Sequence, residues 1–230
     1  MTWTRETRTQ IVVPVLPLDG HVLLPAASTP YRVSDPLHRQ LVQDLLAKPA
    51  DQRWLAVPPR LPLHVGATAE GAESTDGEHA VLGMLTVATS LDGGEYIIVV
   101  EGRMVCRLEA PATLGHASYR MAHVRPLSDR PESLAEARVA TTALVQSLFS
   151  LYDCFGLAAA DLPVGDGTPL DDAALVYRVA HAVIHDPAQR AAMLVERCPA
   201  RRRAVVLEVI ADQLAFAFRE RLLGRPPVGA

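Results

Sequence analysis

Two regimes of apolar spacing divide the chain. Up to about residue 127 the apolar positions come in short clusters, rich in β-branched residues and punctuated by Pro and Gly. Residues 11–16, 54–57, 81–88, 96–108 and 119–124 read as strands on this pattern. Between two of them lies Asp92-Gly-Gly-Glu95, a hairpin signal, because glycine supplies the positive φ that a tight turn requires. The spacing predicts one helix in this half, over 36–47, with Leu37, Leu41, Leu45 and Leu46 on one side. Residues 66–79 are acidic, Gly-rich and short of large apolar groups, and are expected to form a mobile loop between strands.

From Pro131 the period becomes helical. Ser133 and Glu136 stand at capping-box spacing, and Leu144, Leu148, Leu151 and Phe155 follow at steps of four, three and four. Thr168-Pro169 marks a second helix start, with Asp171 and Asp172 complementing the helix dipole. Asp186-Pro187 marks a third start. The last helix is expected from about Pro199, with Leu207, Ile210, Leu214 and Phe218 as its stripe, ending before Gly224-Arg225-Pro226-Pro227. The expected class is therefore α+β, with a β-rich domain over 1–128 and a helical bundle over 129–230.

Composition narrows the chemistry. The 230 residues carry a net charge of −4 and three cysteines, Cys106, Cys154 and Cys198, at wide spacing. That is neither a disulfide framework nor a zinc motif, and it fits a reducing cytoplasm. Lys48 is the only lysine and lies between Ala47 and Pro49, which removes the G-K-[ST] phosphate loop. The mild acidic excess argues against sequence-independent nucleic-acid binding. The polar first ten residues and the lack of a long apolar run predict neither a signal peptide nor a membrane span.

Three segments of the first half carry a family resemblance. Val15-Leu-Pro-Leu-Asp19 with Val22-Leu-Leu-Pro25 is similar to an opening strand, turn and L-x-P-G step. Arg39-Gln-Leu-Val-Gln-Asp-Leu-Leu46 matches an R-x-L-V-x-D-L-L helix. Leu82-Gly-Met-Leu-Thr86, Asp92-Gly-Gly-Glu-Tyr96 and Val99-Val-Glu-Gly-Arg103 follow a G-T-V, D-G-x-Y, V-E-G core. Together they resemble the LON substrate-binding domain, the N-terminal domain of Lon proteases. The helical half resembles that family's bundle. The sequence departs at Ala26, where the family has glycine, and at Val105, where a basic residue is usual.

The resemblance implies a PUA-like pseudo-barrel followed by a helical bundle. It also implies binding of polypeptide, either unfolded client segments or an ATP-dependent protease partner, in a recognition or adaptor role in protein quality control. Full Lon proteases add an ATPase module and a serine–lysine peptidase module, which the 230 residues do not contain. The expectation is a non-catalytic cytoplasmic protein without cofactor, metal, nucleic acid or membrane as partner. Two alternatives stand beside it: a PUA-like RNA-binding module, which needs a basic stripe, and a hydrolase pairing a cysteine with a histidine.

Individual residues add candidates. Tyr31, between Pro30 and Arg32, is expected near the surface and, with Trp54, is the candidate for peptide binding. Trp54 also reads as core. His181 and His185, four apart on an expected helix, have metal-ligand spacing but no third ligand nearby, so the reading is two partly exposed histidines. Cys154 is expected as a small buried hydrophobe and Cys198 at a helix junction. Gly102 is expected to allow a bulge or a close backbone approach in a bent strand. The Arg201-Arg202-Arg203 triplet reads as a solvated helix face, with partner docking as the other reading.

Overall fold

The computed structural model describes residues 11–60, 79–112, 118–157 and 171–223. It divides into two compact units at Ser128/Asp129. The expected loop over 66–79 lies outside the described residues except for His79, as do Thr168-Pro169 and the segment after Leu223.

The first unit holds β1 (Ile11–Pro14), β2 (Leu18–Asp19), β3 (Ser28–Val33), α1 (Pro36–Leu46), β4 (Trp54–Val57), β5 (Pro59–Arg60), β6 (His79–Ser90), β7 (Tyr96–Ala112) and β8 (Met121–Pro126). Six of these form one antiparallel sheet in the order β1-β8-β7-β6-β4, with β3 also on β7; β2 and β5 pair in parallel beside it. All five expected strands form, and the β6–β7 hairpin turns at Asp92–Gly94 with Gly93 and Gly94 at φ +82° and +76°.

Strand β7, 17 residues long, organises this sheet. Along one edge it pairs with β6. Along the other it pairs first with β3, from Tyr96 to Glu101, and then with β8, from Cys106 onward. Gly102 marks the change of partner. A Cβ there would run into the carbonyl oxygen of Leu24, so the close backbone approach expected at Gly102 is real, and β7 and β6 shift register beside it.

Strand β3 has no counterpart among the expected strands. Pro30 interrupts its pattern, and proline is tolerated only where a ladder amide is not needed. Helix α1 starts as expected, with Asp35 as cap: its Oδ1 accepts from the amides of Leu37 (2.8 Å) and His38 (3.1 Å). Its buried face is Leu41, Val42 and Leu45; Leu37, expected on that face, is exposed. The sheet core gathers Val13, Val15, Leu82, Cys106, Leu108 and Val124.

The second unit consists of α2 (Leu134–Phe155), α3 (Asp172–Val183), α4 (Pro187–Val195) and α5 (Pro199–Leu222). Leu144, Leu148 and Leu151 are buried as expected, and Cys154 completes the stripe where Phe155 is only half-buried. Ser133 precedes α2, but its side chain makes no capping bond, so the expected capping box is not formed. Asp171 and Asp186 do cap α3 and α4 through their carboxylates. The stripe of α5 is rotated from the expected one: Arg203, Val206, Ile210 and Ala217 are buried, while Phe218 is exposed.

Candidate functional site

Strand alternation in β3 turns Tyr31 and Val33 inward, opposite the hydrogen-bonding neighbours Ile98 and Tyr96. Tyr31 is only 5% exposed, which corrects the expectation that it lies near the surface. Its cross-strand partner Ile98 is fully buried, and the same face of the sheet buries both.

Tyr31 nonetheless lines a cavity of about 420 Å³ within the first unit. Its lining is mixed: Leu16, Leu18 and Val33 are buried beside Tyr31 and present little surface, and polar side chains make up more of the exposed wall. A turn closes over it. The Gly20 amide donates to the Arg60 carbonyl at 3.1 Å and the His21 amide donates to the Leu18 carbonyl at 3.2 Å. Gly20 reaches φ +72° to do so. This turn sets the His21 ring edge-on to Tyr31, with centroids 5.4 Å apart and planes at 82°. Pairing of β2 with β5 brings Arg60 to the same rim.

The far wall is the step from β3 into α1. Arg32, Asp35 and His38 line it. The His38 amide, together with that of Leu37 and the neighbouring His38 and Arg39 side chains, holds the Asp35 carboxyl below its ordinary range. Arg32 meets Glu95 at 2.6 Å, and Arg39 donates to the Gly93 carbonyl at 2.9 Å. Both contacts tie this wall to the β6–β7 turn. Farther along α1, Asp44 accepts from the Tyr119 hydroxyl at 2.8 Å. Burial and this carboxylate push the Tyr119 phenol up to about 12.

Trp54 does not line this cavity. It lies half-buried on β4 opposite Met84 and packs against the sheet core, and its indole N–H donates to the Asp51 carbonyl at 2.9 Å. The structure therefore separates the two aromatic candidates. His21, His38 and Arg60 escaped the sequence reading, because only the pairing of short strands β2 and β5, for His21 and Arg60, and the step from β3 into α1, for His38, bring them beside Tyr31.

The remaining candidates resolve individually. Helix α3 stops at Val183, so His185 lies beyond its end and does not share a helix face with His181. Among the described residues no cluster of three metal-ligating side chains is present. Burial, with Arg190 and His185 nearby, lowers the His181 imidazole to about 4. Cys106 and Cys154 are buried, and burial pushes the Cys106 thiol up to about 12. Cys198 is half-buried at the cap of α5, and its side chain makes no capping bond. Among the described residues no thiol is hydrogen-bonded to a histidine, the pair that a cysteine hydrolase needs.

The arginine triplet is not a solvated face. Only Arg201 is exposed; Arg202 and Arg203 are buried, paired with Asp129 and Glu132 respectively. Arg202 also stacks over the Tyr177 ring at 4.5 Å. Two of the three clustered cations are thus withdrawn from the surface where an RNA-binding stripe would need them. Among the described residues no helix is long and apolar enough to cross a membrane.

The family model for the ATP-dependent protease La (LON) substrate-binding domain matches residues 12–212. Among solved structures, the N-terminal domain of the Mycobacterium avium complex Lon protease is similar with a TM-score of 0.65 and 19% identity, over 88% of this chain and 99% of that one. A Lon N-terminal domain protein from Xanthomonas campestris is similar with a TM-score of 0.52 and 20% identity, over 86% of this chain and 98% of that one. At these identities the likeness is one of fold. No curated protein matches the sequence.

Proposed function

The chain belongs to the LON substrate-binding domain family, and from that premise we propose that it is a non-catalytic recognition module that binds polypeptide. Its targets are unfolded client segments or a partner in the proteolytic machinery. Its role is that of an adaptor in protein quality control in the cytoplasm, with ATP hydrolysis and cleavage supplied by other proteins. The observation that carries this reading is the family match over 12–212.

The geometry supports it in two ways. The cavity at Tyr31 brings polar and apolar side chains to one concave face, a mixture that suits a side chain and its backbone. The buried thiols of Cys106 and Cys154 lack the electropositive, accessible setting of a reactive cysteine. Tyr31 is the favoured contact residue; Trp54 contributes to the first unit's core.

Calorimetry and pull-down with the purified chain test the proposal. Binding to a denatured client or to a native ATP-dependent protease is expected, with micromolar to millimolar affinity for the client. Absence of binding to both would overturn it.

A further inference from the structure

Pro30, Tyr31, Arg32 and Val33 follow one another along β3, and all of them line the Tyr31 cavity. A cavity on one face of a sheet would meet only every second residue, because side chains alternate between faces. This one therefore lies along the edge of β3 that does not pair with β7.

The phase of the ladder decides which backbone groups face it. The Leu91 amide donates to the Glu95 carbonyl at 2.8 Å, so the hydrogen-bonded pairs of the β6–β7 hairpin are Thr89 with Ile97 and Val87 with Val99. Bonding alternates along a strand. Tyr96, Ile98 and Val100 therefore turn their amides and carbonyls the other way, to Val33, Tyr31 and Thr29 of β3. Gly102, in the same phase, bonds Ala26 and Ala27 on that side. It follows that Pro30 and Arg32 point their backbone groups away from β7 and toward the cavity. Among the described residues the Arg32 amide and the carbonyls of Pro30 and Arg32 have no hydrogen-bond partner. Pro30 brings no amide, which keeps this edge from templating a long ladder and leaves the groups for a short one.

We propose that an extended polypeptide segment adds to β3 as a further strand in this cavity, held by the backbone of Arg32 and by the Pro30 carbonyl. The inference rests on the polypeptide-binding reading above and adds a place and a mode to it. A helical segment does not fit the role, because its own ladder already uses its backbone groups. An unfolded segment has them free, and main-chain hydrogen bonds to a sheet edge then supply the affinity. Every residue except proline carries the same donor and acceptor, so this mode tolerates many sequences.

Amide hydrogen exchange of the isotope-labelled full chain tests this, followed by NMR with and without a saturating reduced and carboxymethylated, permanently unfolded polypeptide. In the free chain the Arg32 amide is expected to exchange fast, and the Tyr31 and Val33 amides, bonded to β7, slowly. The polypeptide is expected to slow Arg32 at least about tenfold. Arg32→Pro removes that amide and no bond to β7, and is expected to weaken binding at least about threefold. Arg32→Gln keeps the amide and loses the ion pair with Glu95, and is expected to bind as the wild type does. The exchange measurement decides the matter whether or not Arg32→Pro folds. Binding that leaves Arg32 exchange unchanged, or that slows instead the Ala88 and Ser90 amides on β6 beyond its pairing with β4, would overturn the inference and leave the general reading standing. So would equal weakening by Arg32→Gln and Arg32→Pro, or slow exchange of Arg32 in the free chain, the sign of a second copy on this edge. Failure of the polypeptide to bind would overturn the inference, and failure of a native ATP-dependent protease to bind as well would overturn the general reading with it.

Discussion

The Ala26 amide donates to the Gly102 carbonyl at 2.8 Å, and the Gly102 amide donates in return to the carbonyl of the next residue, Ala27, at 2.9 Å. This reciprocal pair steers the chain off the middle of β7 and delivers β3, with Tyr31, to the wall of the cavity. It also demands an unusual backbone. Ala26 has φ +57°, the left-handed region where glycine is favoured, at the position where the family has glycine.

Ala26→Gly is therefore expected to stabilise the chain. Relief of left-handed strain is worth about 1–2 kcal/mol, and glycine's freer unfolded state returns part of it. A net gain of about 0.5–1 kcal/mol should appear as a higher urea midpoint at constant slope. A lower midpoint would show that Ala26 is not held in that conformation.

Two glycines facing each other across β6 and β7 should respond unequally to a methyl group. In Gly102→Ala the new Cβ meets the Leu24 backbone, which cannot move without disrupting the reciprocal pair, and a loss of about 2–4 kcal/mol is expected. In Gly83→Ala it meets Cγ1 of the fully buried Val100 at 2.6 Å, a contact that the stiff β-branched side chain relieves only in part, and a smaller loss of about 1–3 kcal/mol is expected. Urea unfolding of both variants checks the order. Gly83→Ala proving the more damaging would contradict the packing described for β7.

How much of this was legible in the sequence depended on whether the signal was local. The hairpin at Asp92–Gly94, the cap at Asp186 and the need for a small residue at Gly102 were all readable, because each acts through its own backbone or nearest neighbours. Strand β3 was not, since Pro30 and a polar run hide a pairing supplied by a strand some 68 residues away. Local sequence puts Tyr31 near the surface for the same reason. Its burial comes from Ile98 across the sheet, not from Pro30 and Arg32 beside it. Arg202 and Arg203 look solvated in the sequence because their carboxylate partners, Asp129 and Glu132, lie about 70 residues earlier in the chain.

The Arg203–Glu132 pair makes a separable prediction. Both side chains are largely withdrawn from water, and the guanidinium contacts both carboxylate oxygens. Glu132→Leu alone leaves a buried cation and should cost about 2–4 kcal/mol, whereas Glu132→Leu with Arg203→Met should recover most of that loss. Thermal unfolding of the two single variants and the double variant supplies the cycle. Additive losses would show that the two residues do not interact.

His181 sets a pH dependence in the second unit. Its imidazole is lowered to about 4 in the folded chain against about 6.5 unfolded, because burial and then Arg190 and His185 oppose the charge. The unfolded chain therefore binds the proton first. The stabilising effect is complete above pH 6.5 and is lost as pH falls from about 6.5 toward 4. Solvent screening of this half-buried ring limits it to about 1–2 kcal/mol. The stability difference between the wild type and His181→Leu should change by that amount between pH 7 and pH 4.5. A constant difference would contradict the assignment.

Titration of the isotope-labelled full chain with an unfolded apolar polypeptide, followed by amide chemical shifts, tests polypeptide recognition at the Tyr31 cavity most directly. The account predicts saturable shifts centred on residues 16–21, 28–38 and 59–60. Saturation without shifts in these segments, or no saturation at any accessible concentration, would contradict it.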